Sequence, residues 1–155
     1  MRIWDFFASP VAISAMAGWI LAQLLKVPVE YFRHKDWDWS LLANAGGMPS
    51  SHSALMTSVT TAIGFYVGWD SPLFVLALAI TGIVVYDATG VRRQAGLQAA
   101  RINLIIRKIF EEKKWPEEEI ESLREVIGHL PGEALAGVLF GMSIAVIVRL
   151  LVPPL

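Results

Sequence analysis

The sequence has no cysteine, which excludes disulfides, thiolate chemistry and a zinc site built on Cys ligands. Charge is scarce: Asp, Glu, Lys and Arg make up 17% of the residues, against about a quarter in soluble domains. A net charge of −1 offers nothing to a polyanion, so nucleic acid is not an expected partner. The start of the chain lacks the basic region, short apolar core and small-residue cleavage site of a secretory signal. One Arg2 precedes an aromatic stretch at 4–7, and the apolar run that follows is longer than a signal core. It reads as a retained segment. No long repeat or low-complexity tract is visible in the 155 residues, a length that suits a single domain, 1–155.

What is present is apolar: 55% of the residues, in long runs. About 20 mostly apolar residues cross a bilayer, and four stretches reach or approach that length, at 10–27, 53–69, 72–91 and 131–152. Helices of a soluble bundle would carry a charged stripe; these have almost none. Gly82, Gly137 and Gly141 lie within them and suit close helix approach. Trp19 and Trp69 fall in or at the end of a span, as suits the bilayer interface. The expected fold is therefore an all-α integral membrane bundle of about four transmembrane helices.

The connections give sidedness. The first carries Lys26, Arg33 and Lys35. The second is only Asp70 and Ser71. The third, 92–130, carries Arg92, Arg93, Arg101, Arg107, Lys108, Lys113, Lys114 and Arg124. Connections one and three share a side, which then holds 11 of the 13 basic residues, all but Arg2 and Arg149. The positive-inside rule places that side in the cytoplasm and both termini outside. Within connection three, Ile102, Ile105, Ile106 and Ile109 recur at helical spacing, an amphipathic face for the membrane surface or the bundle. Pro116 opens a second short helix, with Glu117, Glu118 and Glu119 in its first turn as dipole partners.

Two predicted helix starts combine proline with histidine: Gly46-Gly47-Met48-Pro49-Ser50-Ser51-His52 and Gly128-His129-Leu130-Pro131-Gly132-Glu133. Proline suits the first helical position and disfavours helix in the residue before it. Both starts lie on the basic side. A helix N-terminus presents free N–H groups and partial positive charge, a ready site for phosphate. Ser50 and Ser51 would offer N–H groups and hydroxyls, with the glycines allowing close approach and His52 nearby. Glu133, four residues after His129, could accept its Nδ1 proton and leave Nε2 as nucleophile or base. Each part also has an ordinary role: Glu133 as a cap, Lys26 and Arg33 as interface side chains, Arg124 as a surface residue. Together they supply what phosphoryl transfer needs, namely a nucleophile, an acid for the leaving oxygen, and donors for the phosphoryl oxygens.

These residues resemble the phosphatidic acid phosphatase type 2 superfamily, which includes the vanadium haloperoxidases. Its motifs are K-x6-R-P, P-S-G-H and S-R-x5-H-x3-D. Lys26-x6-Arg33 corresponds to the first, with His34 in place of Pro. Pro49-Ser50-Ser51-His52 corresponds to the second, with Ser51 in place of Gly. Arg124-x4-His129-x3-Glu133 corresponds to the third, one residue shorter and with Glu in place of Asp. The closer likeness is to a divergent branch of small bacterial and plastid membrane proteins, through GGMPSSHSA at 46–54 and DATGVRR at 87–93. The resemblance implies a lipid phosphatase: His129 attacks phosphorus, Glu133 orients it, His52 protonates the leaving group, and Lys26, Arg33, Ser50, Ser51 and Arg124 hold the phosphoryl oxygens, with no metal required. Gly47 supports the second motif.

Asp87 is an ionisable residue within a span and thus a functional candidate. Arg92 and Arg93 beside it read equally as further phosphate clamps or as positive flank with Asp87 as their partner. A third reading has Asp87 and Glu133 holding a divalent metal. The expected substrate is a phospholipid or polyprenyl phosphate, with phosphatidylglycerol phosphate suited to a cytoplasmic site in a bacterial or plastid-type membrane. The alternative is a non-enzymatic protein that binds or transports phosphate headgroups; as a transporter, four helices would call for a homodimer. Haloperoxidase chemistry fits least, because it acts on soluble substrates.

Overall fold

The structure, a computed structural model, describes residues 6–43, 46–113, 123 and 128–153, with backbone alone for 110–113. Five long helices account for most of it: α1 (Pro10–His34), α2 (Ser51–Tyr66), α3 (Pro72–Thr89), α4 (Val91–Lys113) and α5 (Pro131–Leu151). A 3₁₀ turn, Trp39–Leu42, follows α1. The second helix expected in connection three, after Pro116, lies outside the described residues, as does Arg124.

Three of the helical runs are long and apolar enough to cross a bilayer: Pro10–His34, Pro72–Ile109, which is interrupted at Gly90, and Pro131–Leu151. The protein is an integral membrane helical bundle. The stretch expected as a second span forms only the 16-residue α2. At 1.5 Å per residue that is about 24 Å, short of the roughly 30 Å hydrocarbon layer. Its place in the bundle explains why a shorter, more polar helix serves. It packs against α1, α3 and α5, and Ser51, Ser53, Thr57, Ser58, Thr60 and Thr61 are all buried along it. Some of these hydroxyls find partners inside the protein: Thr60 shares a 2.7 Å hydrogen bond with Thr81 of α3, and Ser58 donates to the Leu55 carbonyl. The lipid-facing apolar surface is left to the other helices, with Leu24, Val75, Ile83, Leu135 and Leu150 exposed.

Two glycines let α5 press onto α2. A Cβ at Gly137 would overlap the Ser50 carbonyl oxygen, and one at Gly141 would overlap that of Ala54. The small-residue contact expected of membrane helices is thus a backbone-to-backbone contact here. At the far end of the pair, the Tyr66 hydroxyl donates to the carbonyls of Val148 and Val152.

α1 runs past the predicted span end at residue 27, through Pro28 to His34, and closes on Lys35 in the left-handed conformation. Lys26 and Arg33 therefore stand on one helix, seven residues or two turns apart, and share a face. α4 is a single amphipathic helix. Gly96, Ala99 and Asn103 are its buried residues among those described, while Ile102, Ile105 and Ile109, part of the face expected to lie on the membrane or pack on the bundle, are exposed. Asn103 holds the Leu123 backbone with both its amide groups, at 2.8 and 2.9 Å.

Candidate functional site

Three segments that are distant in sequence are joined by backbone hydrogen bonds at one end of the bundle. The Ser50 N–H donates to the Glu133 carbonyl at 3.0 Å, and the His129 N–H donates to the Ala88 carbonyl at 3.0 Å. The start of α2, the start of α5 and the end of α3 are thereby fixed together, and α1 brings Lys26 to the same place. Both histidine-bearing starts share one end, as expected.

The two starts differ in detail. Pro131 is the first residue of α5. Pro49, by contrast, lies before the cap: α2 begins at Ser51, and Ser50 is the N-cap, its hydroxyl accepting from the Ser53 N–H at 3.3 Å and from the Ser53 hydroxyl at 3.1 Å. This corrects the expectation that Ser50 and its N–H face an anion. The N–H is taken by Glu133, the hydroxyl by Ser53, and the side chain is fully buried. At the helix start the N–H groups left over are those of Ser51 and His52, which precede the first intrahelical bond. Gly47 has a positive φ of 78°, and a Cβ there would sit 3.7 Å from the Lys26 side chain, so this loop lies over the lysine stem.

His52, exposed on the second residue of α2, and His129, 3% exposed before α5, line the same cavity of about 150 Å³ together with Ile83, Val84, Asp87, Ala88 and Arg92. Neither ring nitrogen of His129 has a hydrogen-bond partner among the described residues. Burial, aided by the charges of Lys26, His52 and Arg92, lowers its pKa to about 4. A buried imidazole surrounded by positive charge loses its proton first. The ring is therefore neutral at physiological pH and keeps a lone pair for an electrophile.

The expected bond from His129 to Glu133 is absent. Glu133 turns back to cap its own helix, accepting from the Leu130 N–H at 3.0 Å, and its other oxygen pairs with Arg33 at 3.9 Å. Lys26, almost wholly buried, acts electrostatically on the same carboxylate. The physical reason is helix geometry: a glutamate at the third helical position reaches its own free N–H groups more easily than a side chain before the cap. The first motif is thus brought to the third through Glu133.

Asp87 and Arg92 form an ion pair at 2.6 Å across the bend at Gly90, on the wall of the histidine cavity. Of the two open readings of Arg92, the pair with Asp87 is present. The Arg93 side chain is exposed and lines neither of the cavities described here, although its backbone packs against Gly128. The two carboxylates offered as metal ligands each pair with an arginine, Asp87 with Arg92 and Glu133 with Arg33.

A second cavity, about 440 Å³, lies on the other side of His52, between α1, the 3₁₀ turn and the start of α2. Gln23 ties the turn down, its Nε2 donating to the carbonyls of Leu41 and Leu42 at 3.0 and 2.8 Å. Sequence reasoning passed over Gln23. The available signal was that it is the sole amide side chain in the apolar stretch 10–27.

The chain is 39% identical over 143 residues to YuiD of Bacillus subtilis, an uncharacterized membrane protein, covering 87% of this chain and 90% of that one. No solved structure matches. A protein-family match extends over residues 7–144, which takes in all the site residues described above and assigns the chain to the divergent PAP2 family.

Proposed function

We propose that the protein is a membrane phosphatase that releases phosphate from a lipid phosphate ester at the cytoplasmic face of the bilayer. The observation that carries this reading is a buried histidine, neither ring nitrogen of which has a hydrogen-bond partner among the described residues, sharing a cavity with a second histidine and an Asp–Arg pair.

A ring nitrogen of His129 attacks phosphorus, the bond from phosphorus to the ester oxygen breaks, and protonated His52 gives its proton to the departing alkoxide. The lipid alcohol leaves. His52, now neutral, takes a proton from water, whose oxygen attacks the phosphohistidine. Phosphate leaves, His129 regains its lone pair, and His52 is protonated again. Arg92 lies close enough to neutralise the phosphoryl oxygens, with Lys26 and Arg33 next in reach and the Ser51 and His52 N–H groups at the head of α2. Asp87 and Glu133 hold Arg92 and Arg33 in place. The scheme runs without a metal ion. The concentration of basic residues on the site's side supports a cytoplasmic site, which favours intermediates of lipid synthesis such as phosphatidylglycerol phosphate.

The test is phosphate release from a panel of lipid phosphates in detergent. His129→Ala is expected to lower turnover by about 10³-fold or more and His52→Ala by about 10²-fold. Activity that survives both changes overturns the mechanism.

One observation favours a second reading, a headgroup-binding or transport protein working as a homodimer: the carboxylate that should orient His129 caps Leu130 instead. Binding of lipid phosphate without release of phosphate from any member of the panel is the outcome that reading predicts.

A further inference from the structure

His52 stands between two cavities of opposite character. On one side lies the small histidine cavity with the Asp87–Arg92 pair. On the other lies the larger groove, floored at the same level by Ser51 and His52 and walled by Trp19, Ile20, Leu24 and Leu42. Gln23, Ser51 and His52 are the polar side chains of its lining, and the others are apolar. From the level of Lys26 to Trp19, α1 runs seven residues, about 10 Å further into the apolar layer. Trp19, Ile20 and Leu24 are 43%, 42% and 53% exposed on a helix that spans the membrane, so the groove opens towards lipid. Its volume falls in the range of ligand pockets.

We propose that this groove holds the hydrocarbon chain of the substrate, which enters sideways from the bilayer between α1 and the 3₁₀ turn. The proposal rests on the phosphatase reading and extends it. With the chain in the groove and the phosphate in the histidine cavity, the bond between them falls beside His52, the group placed to protonate the leaving oxygen. Gln23, by clamping the carbonyls of Leu41 and Leu42, holds the turn as the roof of the groove. Discrimination for long chains then comes from α1 and the turn, separately from the phosphate contacts.

The experiment uses the full chain in detergent micelles with hexadecyl phosphate and butyl phosphate, which share a headgroup and differ only in chain. Wild type is expected to prefer hexadecyl phosphate by 10-fold or more in kcat/KM. Ile20→Trp and Ala43→Trp, which narrow the groove from opposite walls, are expected to shrink that preference at least 10-fold, mainly through KM. Loss of activity on both substrates with the preference intact marks a structural effect and overturns the proposal.

A second measurement needs no turnover: a diazirine at the chain end of hexadecyl phosphate, photolysed on His129→Gln protein. Labelling of Trp19, Ile20, Leu24 or Leu42, reduced by Ala43→Trp, supports the groove even if no variant hydrolyses any phosphate, in which case the phosphatase reading alone falls. Phosphate release with labels spread over the lipid-facing surface overturns the groove while leaving the phosphatase. Cross-linking of a second copy of the chain through these residues assigns the groove to a dimer contact and also overturns it.

Discussion

His129 combines features that oppose each other in most proteins. Its ring is buried, yet neither nitrogen is bonded among the described residues, and leaving buried polar atoms unpaired costs on the order of 1–3 kcal/mol each. Such a cost is retained where the group has work to do. It also has a pH signature. With a folded pKa of about 4 against an ordinary value of 6.5, the unfolded chain takes up this proton first as pH falls. Stability from this residue is fully present above about 6.5 and declines as pH drops towards 4, by about 3 kcal/mol in all. Thermal melts in detergent across that range are expected to show the decline in wild type and a smaller one in His129→Gln. An equal pH dependence in the two would show that this ring does not carry the effect. Both histidines were legible in the sequence through their prolines and glycines. The direction of Glu133 was not, because spacing of four residues does not say whether it points to the residue before the cap or to the backbone of its own helix.

Among the elements, α2 is the pivot. It is short, rich in Ser and Thr, and enclosed by helices that face the lipid. Its contact with α5 depends on Gly137 and Gly141. Gly141→Ala, which sets a methyl group against the Ala54 carbonyl, is expected to cost about 1–3 kcal/mol and lower the midpoint of thermal unfolding, whereas Gly82→Ala, whose Cβ meets nothing, is expected to leave it unchanged or raise it slightly. Equal midpoints for both variants would contradict the backbone contact. Hydropathy marked α1, α3 and α5 correctly because those helices answer to lipid on one face. It marked α2 on the same footing, since a run of small residues reads as apolar whether its neighbours are lipid or protein, and so its enclosure by the other helices did not show. The run of α1 through Pro28 was hidden for the opposite reason: proline and Lys26 read as an end, whereas the lysine is buried against the other helices and the proline is carried within the helix.

At the scale of the whole molecule, the chain gathers Lys26, Arg33, Arg92, His52, His129 and both helix starts at one end, leaving Tyr66 and Arg149 at the other, where the guanidinium lies over the ring at 5.9 Å. The charge asymmetry was plain in the sequence, while the junction among α2, α3 and α5 was not, because it is built from carbonyl and N–H groups that every residue possesses. Sidedness can be read with one reporter in a chain free of cysteine. Lys108 is exposed on α4, unlike the buried Asn103 one turn away. Lys108→Cys is expected to resist impermeant thiol reagents in intact cells and to react once the membrane is opened; labelling in intact cells would put the site outside. The central claim is that phosphate passes through His129. Rapid acid-free quenching of the protein with ³²P-labelled phosphatidylglycerol phosphate, followed by peptide mapping, tests it most directly. The account predicts an alkali-stable, acid-labile phosphate on the peptide carrying His129, absent from His129→Gln. Turnover with no covalent phosphate, or a label that persists in His129→Gln, would contradict it.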